Sequence, residues 1–381
     1  MIDLEKIPKA QLKISIEREL SQRSLYQFFC LCIDNVYKHL EFIPNWHYKA
    51  ILDIIDAEIC RMLRGEKTDK HLLINVPIRS GKTIMISEIV PIWIWIKSQG
   101  KFQVMSICST QRLATKSSRM SKLILTSQWF TQMFPEIVLS QDNKSKSDYS
   151  TTNGGTRMSF GIDSSIIGQG FDVLIIDDPN DPADSNSDVS IRNVIETYRD
   201  VIAGRANSDR ALKIILQQRT SERDLCGELL QNNKNEFRHI CIPAVLSKDT
   251  SPEFIPYYVD GLFFPQRYSR ERLSQYAKDL SPSAYASQLL QAPAALEGTT
   301  LKRVWFKTIK ESDFININQG KHFLFLDTAF GENKDNDPSC LYLCTEIGGN
   351  VYTIRVENFW LEFHDLTEKI LEWIKIYNVK K

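Results

Sequence analysis

Short apolar runs, each closed by a polar cluster, set the rhythm of the chain. Leu72-Leu73-Ile74 leads into a loop and then, from Thr83 onward, a helical stretch. Val173 to Ile176 ends in Asp177-Asp178-Pro179, and Ile214 to Leu216 ends in Gln217-Gln218-Arg219-Thr220. Runs that are apolar at every position predict strands buried on both faces, as in a parallel sheet covered by helices. A helix is expected near Ser221, where Ser221-x-x-Asp224 has the outline of a capping box with Asp in place of Glu or Gln. Further on, the run ending in Asp327 reads as another strand, and residues 339–347 and 350–357 as two more, joined by a Gly348-Gly349-Asn350 hairpin turn. The last stretch reads as an amphipathic helix with Leu366, Ile370, Ile374 and Tyr377 on one face. The polar segment 140–155 reads as an exposed loop ending in a Gly-Gly turn. The predicted class is α/β with a mostly parallel central sheet.

Candidate chemistry sits at the ends of these strands. The stretch LLINVPIRSGKTIMISEIV (72–90) carries Gly81-Lys82-Thr83 where a strand gives way to a helix, the context of a phosphate-binding loop. The pattern G-x-x-x-x-G-K-[ST] has its first glycine where Val76 stands. Pro77 fixes the turn and Arg79 adds a permanent cation. The candidate nucleotide-binding set is Pro77, Arg79, Ser80, Gly81, Lys82 and Thr83, with Lys82 toward the β- and γ-phosphates and Thr83 toward Mg²⁺. In FDVLIIDDPND (171–181), Asp177 is suited to bind the Mg²⁺ through water and Asp178 to polarise the attacking water. A solvated Asp-Asp-Pro turn is the plain alternative. The polar cluster Gln217–Thr220 suits a residue that senses hydrolysis beside the γ-phosphate, or an ordinary polar strand end. The implied cofactors are ATP and Mg²⁺.

Composition narrows the picture little. The chain has 381 residues, room for about two domains, with 47 Lys+Arg against 47 Asp+Glu, so overall charge argues neither for nor against nucleic acid. From Lys101 to Pro135 there is no acid, while Lys101, Arg112, Lys116, Arg119 and Lys122 are basic; this is either a solvated helix face or a phosphate-tracking surface. The N-terminus lacks the apolar core of a signal peptide, and the run Ile89–Ile96 is too short to span a bilayer, so no membrane association is expected. The eight cysteines lack zinc-ribbon spacing and fit a reduced compartment.

Taken together, these segments resemble the large subunit of tailed-phage terminases, the ATP-driven motors of DNA packaging. VPIRSGKT is similar to the family's P-P-R-x-G-K-[ST] loop, GQGFDVLIIDDP to its Walker B strand, and STQRLATKSSRMSKLI to the segment after its second core strand. LQQRTSERDLCGELL resembles the coupling motif, with Gln218 and Thr220 replacing the family's threonine and tryptophan around Arg219. The resemblance implies an ASCE/RecA-like ATPase fold. It also implies Trp46 and His47 near the adenine, and Arg79, Arg205 or Arg219 as the cation at the transferring phosphoryl group, a role worth ~10³-fold or more in rate. KHFLFLDTAFG resembles the first strand of an RNase H-like nuclease domain, which makes Asp327 its first metal-binding carboxylate. A two-metal nuclease needs further carboxylates, and Asp335, Asp337 and Glu357 do not match the family's remaining positions. The expected organisation is an N-terminal helical segment (1–45), an ATPase motor (46–300), a linker (301–320) and a truncated nuclease fragment (321–381), without cleavage activity unless a second chain completes it and supplies the two-metal site. The implied partners are double-stranded DNA, a portal protein, a small terminase subunit and further copies in a ring. The implied location is the host cytoplasm, as a phage or prophage product. The rival expectations are a helicase of the same ATPase class and an inactive remnant that only binds partners.

Overall fold

The computed structural model describes residues 8–141, 145–164, 166, 168–185, 187–293, 305, 307–308, 320–329 and 338–379. The chain forms two compact units, Met1–Glu297 and Gly298–Lys381. The linker expected over 301–320 falls almost wholly outside the described residues, as do Asp335 and Asp337.

The first unit opens with helices α1 (Lys9–Arg23), α2 (Leu25–Asn35) and α3 (Trp46–Leu63), followed by β1 (His71–Asn75). A π-helical turn (Thr83–Ile89) runs into α4 (Val90–Ser98), then β2 (Val104–Cys108), α5 (Gln111–Thr126) and α6 (Gln128–Met133). After β3 (Tyr149–Ser150), β4 (Thr156–Gly161) and β5 (Val173–Asp177) come α7 (Asp188–Glu196), β6 (Leu212–Leu216), α8 (Leu225–Asn232) and β7 (Phe237–Cys241). Helices α9 (Arg270–Asp279) and α10 (Pro282–Gln288) close the unit.

Its strands form a seven-stranded sheet in the order β3-β4-β2-β5-β6-β1-β7. All neighbours are parallel except β3, which runs antiparallel to β4. Strand periodicity divides the apolar runs between two cores. Ile74, Val104, Ile175 and Ile214 pack with α2, α3 and α4 on one face, whereas Leu73, Met105, Ile176 and Ile215 pack with α7 and α8 on the other. This is why the runs show no alternation: both faces are covered. Strand β6 stands between β1 and β5, so the segment after Leu216 leaves the sheet between the phosphate-loop candidate and the Asp177-Asp178 pair.

Several local expectations are corrected. The helix after β6 starts at Leu225 with Asp224, not Ser221, as its cap; the Asp224 carboxylate accepts from the Gly227 N–H at 2.8 Å and is also claimed by Arg219. The segment 140–155 is not all loop, because Tyr149–Ser150 pairs with β4 and Tyr149 is buried; residues 142–144 lie outside the description.

The second unit is an antiparallel meander of β8 (Lys321–Asp327), β9 (Ser339–Ile347) and β10 (Asn350–Phe359), in the order β10-β9-β8, followed by α11 (Phe363–Ile376). Its core is Leu341, Leu343 and Trp373, flanked by Ile370 and Tyr377. Trp373 takes the place expected for Ile374, which is 37% exposed.

Candidate nucleotide site

The loop after β1 explains its missing glycine. Val76 is fully buried and does not take a left-handed φ, so nothing there demands glycine. The left-handed turns fall instead at Arg79 (φ 62°) and Gly81 (φ 81°). Gly81 is required twice over, because a Cβ there would also lie 2.8 Å from the Tyr48 hydroxyl. Pro77 is buried, and Arg79 is exposed on a cavity of about 280 Å³ lined also by Phe42, Tyr48, Ile84 and Arg267.

Distant residues hold the loop backbone. The Tyr268 hydroxyl donates to the Ile78 carbonyl, and the Ile78 N–H donates to the Gln288 carbonyl at 3.3 Å. His47 is fully buried and its Nε2 lies 2.9 Å from the Ser80 carbonyl, while Nδ1 lies 2.7 Å from Asn45 Nδ2. A carbonyl can only accept, so Nε2 carries the proton and Nδ1 accepts from Asn45. Burial lowers the His47 pKa to about 3, so the ring is neutral at ordinary pH. Trp46 donates to the Phe263 carbonyl at 3.0 Å and stacks on Tyr257 with ring centroids 5.2 Å apart. The structure thus places Trp46 in an aromatic anchor and His47 behind the loop backbone.

The carboxylates stand opposite Lys82. Lys82, 6% exposed, places Nζ 2.8 Å from Asp178 Oδ2. Asp178 adopts φ 45° and donates its N–H to the Leu216 carbonyl at 2.9 Å; its Oδ1 accepts the Gln218 N–H at 2.8 Å. One side chain therefore touches both the Gly81-Lys82-Thr83 loop and the strand end expected to sense hydrolysis. Asp177 is 5% exposed; Oδ2 accepts from the Ser87 hydroxyl at 2.7 Å, and among the described residues Oδ1 has no partner within hydrogen-bond geometry, the Thr83 hydroxyl standing near the carboxylate without closing a bond on it. Burial first, then the neighbouring Asp178 charge, pushes the Asp177 pKa up to about 6, against the pull of Lys82, Ser87 and Thr83. A buried carboxylate with an orphaned oxygen beside a threonine hydroxyl fits a hard divalent cation, whose ligands are oxygens. Ser80 Oγ is a further orphan in the loop.

The strand-end cluster is organised around Arg219. Its Nε lies 3.0 Å from both Asp224 oxygens and Nη2 donates to the Ser221 carbonyl at 3.1 Å, so this buried guanidinium shapes its own loop. The Arg219 N–H donates to Gln291 Oε1 at 3.0 Å, which ties this loop to the segment whose Gln288 carbonyl holds Ile78. Gln217 Oε1, Gln218 Oε1 and Thr220 Oγ1 are buried without partners among the described residues.

Arg205 is not brought to the site. It donates to the Val201 carbonyl at 2.6 Å, and its own carbonyl accepts from Phe171, which precedes β5. That is the end of β5 opposite Asp177, ~20 Å away at 3.3 Å per strand residue. Arg112, Lys116 and Arg119 are exposed on α5, whereas Lys122 lies over the Tyr149 ring at 5.3 Å. In the second unit Asp327 ends β8 exposed, and Glu357 is taken up by Arg355 at 2.5 Å. Sequence reasoning missed Tyr48, Tyr268 and Gln291, whose positions along the chain carry no motif, and Ser87, which a four-residue step from Thr83 could have indicated.

No family model and no curated protein matches the chain. Among solved structures, the chain is similar to the HK97 bacteriophage large terminase, with 13% identity, 89% of this chain and 69% of that one covered, and TM-score 0.44. It is similar to the large terminase of a thermophilic bacteriophage at 12% identity, covering 84% and 73% with TM-score 0.41; that protein is also solved with ADP and with ATP-gamma-S. A Thermus phage P74-26 large terminase ATPase domain mutant matches at 13% identity, covering 67% and 96% with TM-score 0.38.

Proposed function

We propose that the first unit is a Mg²⁺-dependent ATPase that drives translocation of double-stranded DNA in the manner of a terminase large subunit. The observation that carries this reading is the constellation at the strand ends: Lys82 paired with Asp178, beside a buried Asp177 whose Oδ1 is unpartnered. Lys82 exchanges Asp178 for the nucleotide phosphates, with the N–H groups of the loop and the start of the helical turn as further donors. Thr83 and Asp177 Oδ1 are the residues that would hold Mg²⁺, which when bound offsets charge on the phosphates. Freed from Lys82, Asp178 is the general base that orients and deprotonates water. Arg79, exposed on the loop, supplies a cation in its own chain, whereas Arg205 can do so only to a neighbouring copy in a ring. Gln218 joins the base to the coupling segment through its N–H on Asp178. Arg112, Lys116 and Arg119 form the surface we assign to the DNA backbone. Portal and small subunit belong to the same reading; the exposed Asp327 alone supports no two-metal cleavage.

The test is Mg²⁺-dependent ATP hydrolysis by wild type, Lys82→Ala and Asp178→Asn, with and without linear duplex DNA. Wild type should turn over, and each substitution should lower kcat by ~10²-fold or more, the scale of removing a charged group at a transition state. Failure of wild type to bind ATP at all would sink the reading.

A further inference from the structure

Ser87 lies on the π-helical turn four residues beyond Thr83, and its hydroxyl occupies Asp177 Oδ2, leaving Oδ1 as the unpartnered oxygen. The wide turn that puts it there is held at two successive carbonyls. The Ser87 carbonyl accepts from Arg157 Nη2 at 2.8 Å, and the Glu88 carbonyl accepts from Ser121 Oγ at 2.7 Å. The Glu88 carboxylate is buried too and accepts from the Tyr37 hydroxyl at 2.5 Å. π-Helical turns are rare and cluster at functional sites, so side-chain donors on consecutive carbonyls point to a geometry kept for a purpose.

Arg157 is the unusual member. It is fully buried on β4, and its hydrogen bonds go to a carbonyl and to Ser106 Oγ at 3.1 Å on β2, not to a carboxylate. Burial holds its pKa below the ordinary guanidinium value. A buried cation bonded to no carboxylate among the described residues is costly, even with the Glu88 charge nearby, and this one reaches from β4 past Ser106 of β2 to hold the carbonyl of Ser87, whose hydroxyl bonds Asp177 on β5.

We infer that Ser87, clamped by Arg157, is a positioning residue for divalent-cation binding: by holding Oδ2 it presents Oδ1 of Asp177 to the cation. This rests on the reading of the first unit as a Mg²⁺–nucleotide site. The test is calorimetric titration of a slowly hydrolysed ATP analogue into the full chain, with and without Mg²⁺, for wild type, Ser87→Ala and Ser87→Thr. In wild type, Mg²⁺ should tighten binding. Ser87→Ala should lose about tenfold of that tightening, the lower scale for removing an outer partner of a metal ligand, while Mg²⁺-free affinity stays within about twofold. Ser87→Thr, which keeps the hydroxyl, should restore it. A misfolded variant would lose the Mg²⁺-free affinity as well, so unfolding and mispositioning separate. If Ser87→Ala keeps the whole Mg²⁺ effect, the inference falls and the nucleotide site stands. If wild type binds no analogue under either condition, both fall.

Discussion

At the scale of single residues, the site depends on backbone conformations that most side chains avoid. Gly81 shows this best, since its φ of 81° and the 2.8 Å approach of the Tyr48 hydroxyl each exclude a Cβ. Gly81→Ala should destabilise the fold by about 1–2 kcal/mol from the left-handed φ alone, and more if the Tyr48 ring cannot yield. Urea denaturation measures this, and an unchanged midpoint would contradict the geometry. Arg79 and Asp178 bear the same left-handed cost without being glycine, which places strain on both sides of Lys82. Titration adds a second check. His239 is half-buried, its Nε2 lies 2.8 Å from Asn75 Oδ1, and burial followed by the Arg219 charge lowers its pKa from 6.5 to about 4. The unfolded chain binds a proton below pH 6.5 that the folded chain refuses until about pH 4, so stability is full above 6.5 and falls with pH through that window. The loss should run at ~1.4 kcal/mol per pH unit for this one ring. His239→Gln, which can keep a donor to Asn75, should flatten the slope of stability against pH by about that amount.

At the scale of elements, the three core strands that lead into the candidate site were legible because each is an uninterrupted apolar run ending in polar residues. Strands β4 and β7 were not, since polar residues interrupt RMSF and RHIC: Arg238 of β7 points outward, whereas the Arg157 side chain of β4 is fully buried with Ser106 and the Ser87 carbonyl as partners. The helix after β6 was displaced in expectation because Ser221 and Asp224 are both capping types, and the ion pair with Arg219 decides for Asp224. The N-terminal helices also look separate from the motor in sequence. In the fold, Phe28 of α2 is fully buried against Trp129 and Phe130, in the same core cluster as Ile74 of β1. Phe28→Ala should therefore cost the sheet unit about 3–5 kcal/mol in a chemical denaturation experiment, as for any large core deletion. A cost well under 1 kcal/mol would mean that α2 is a detachable appendage.

At the scale of the whole molecule, the candidate site is assembled from every part of the first unit. The phosphate loop, the carboxylates and the strand-end cluster could be read in order from local motifs. Their supports could not, because Asn45, His47, Tyr268, Gln288 and Gln291 meet the loops only through folding. Among the described residues no helix is long and apolar enough to cross a membrane. The segment from Gln288 to Gln291 has one more consequence. It holds the candidate phosphate loop through one hydrogen bond and the Arg219 loop through another. Gln288 is the last residue of α10, so a pull on this short segment would be shared between that helix end and the two loops fastened to it.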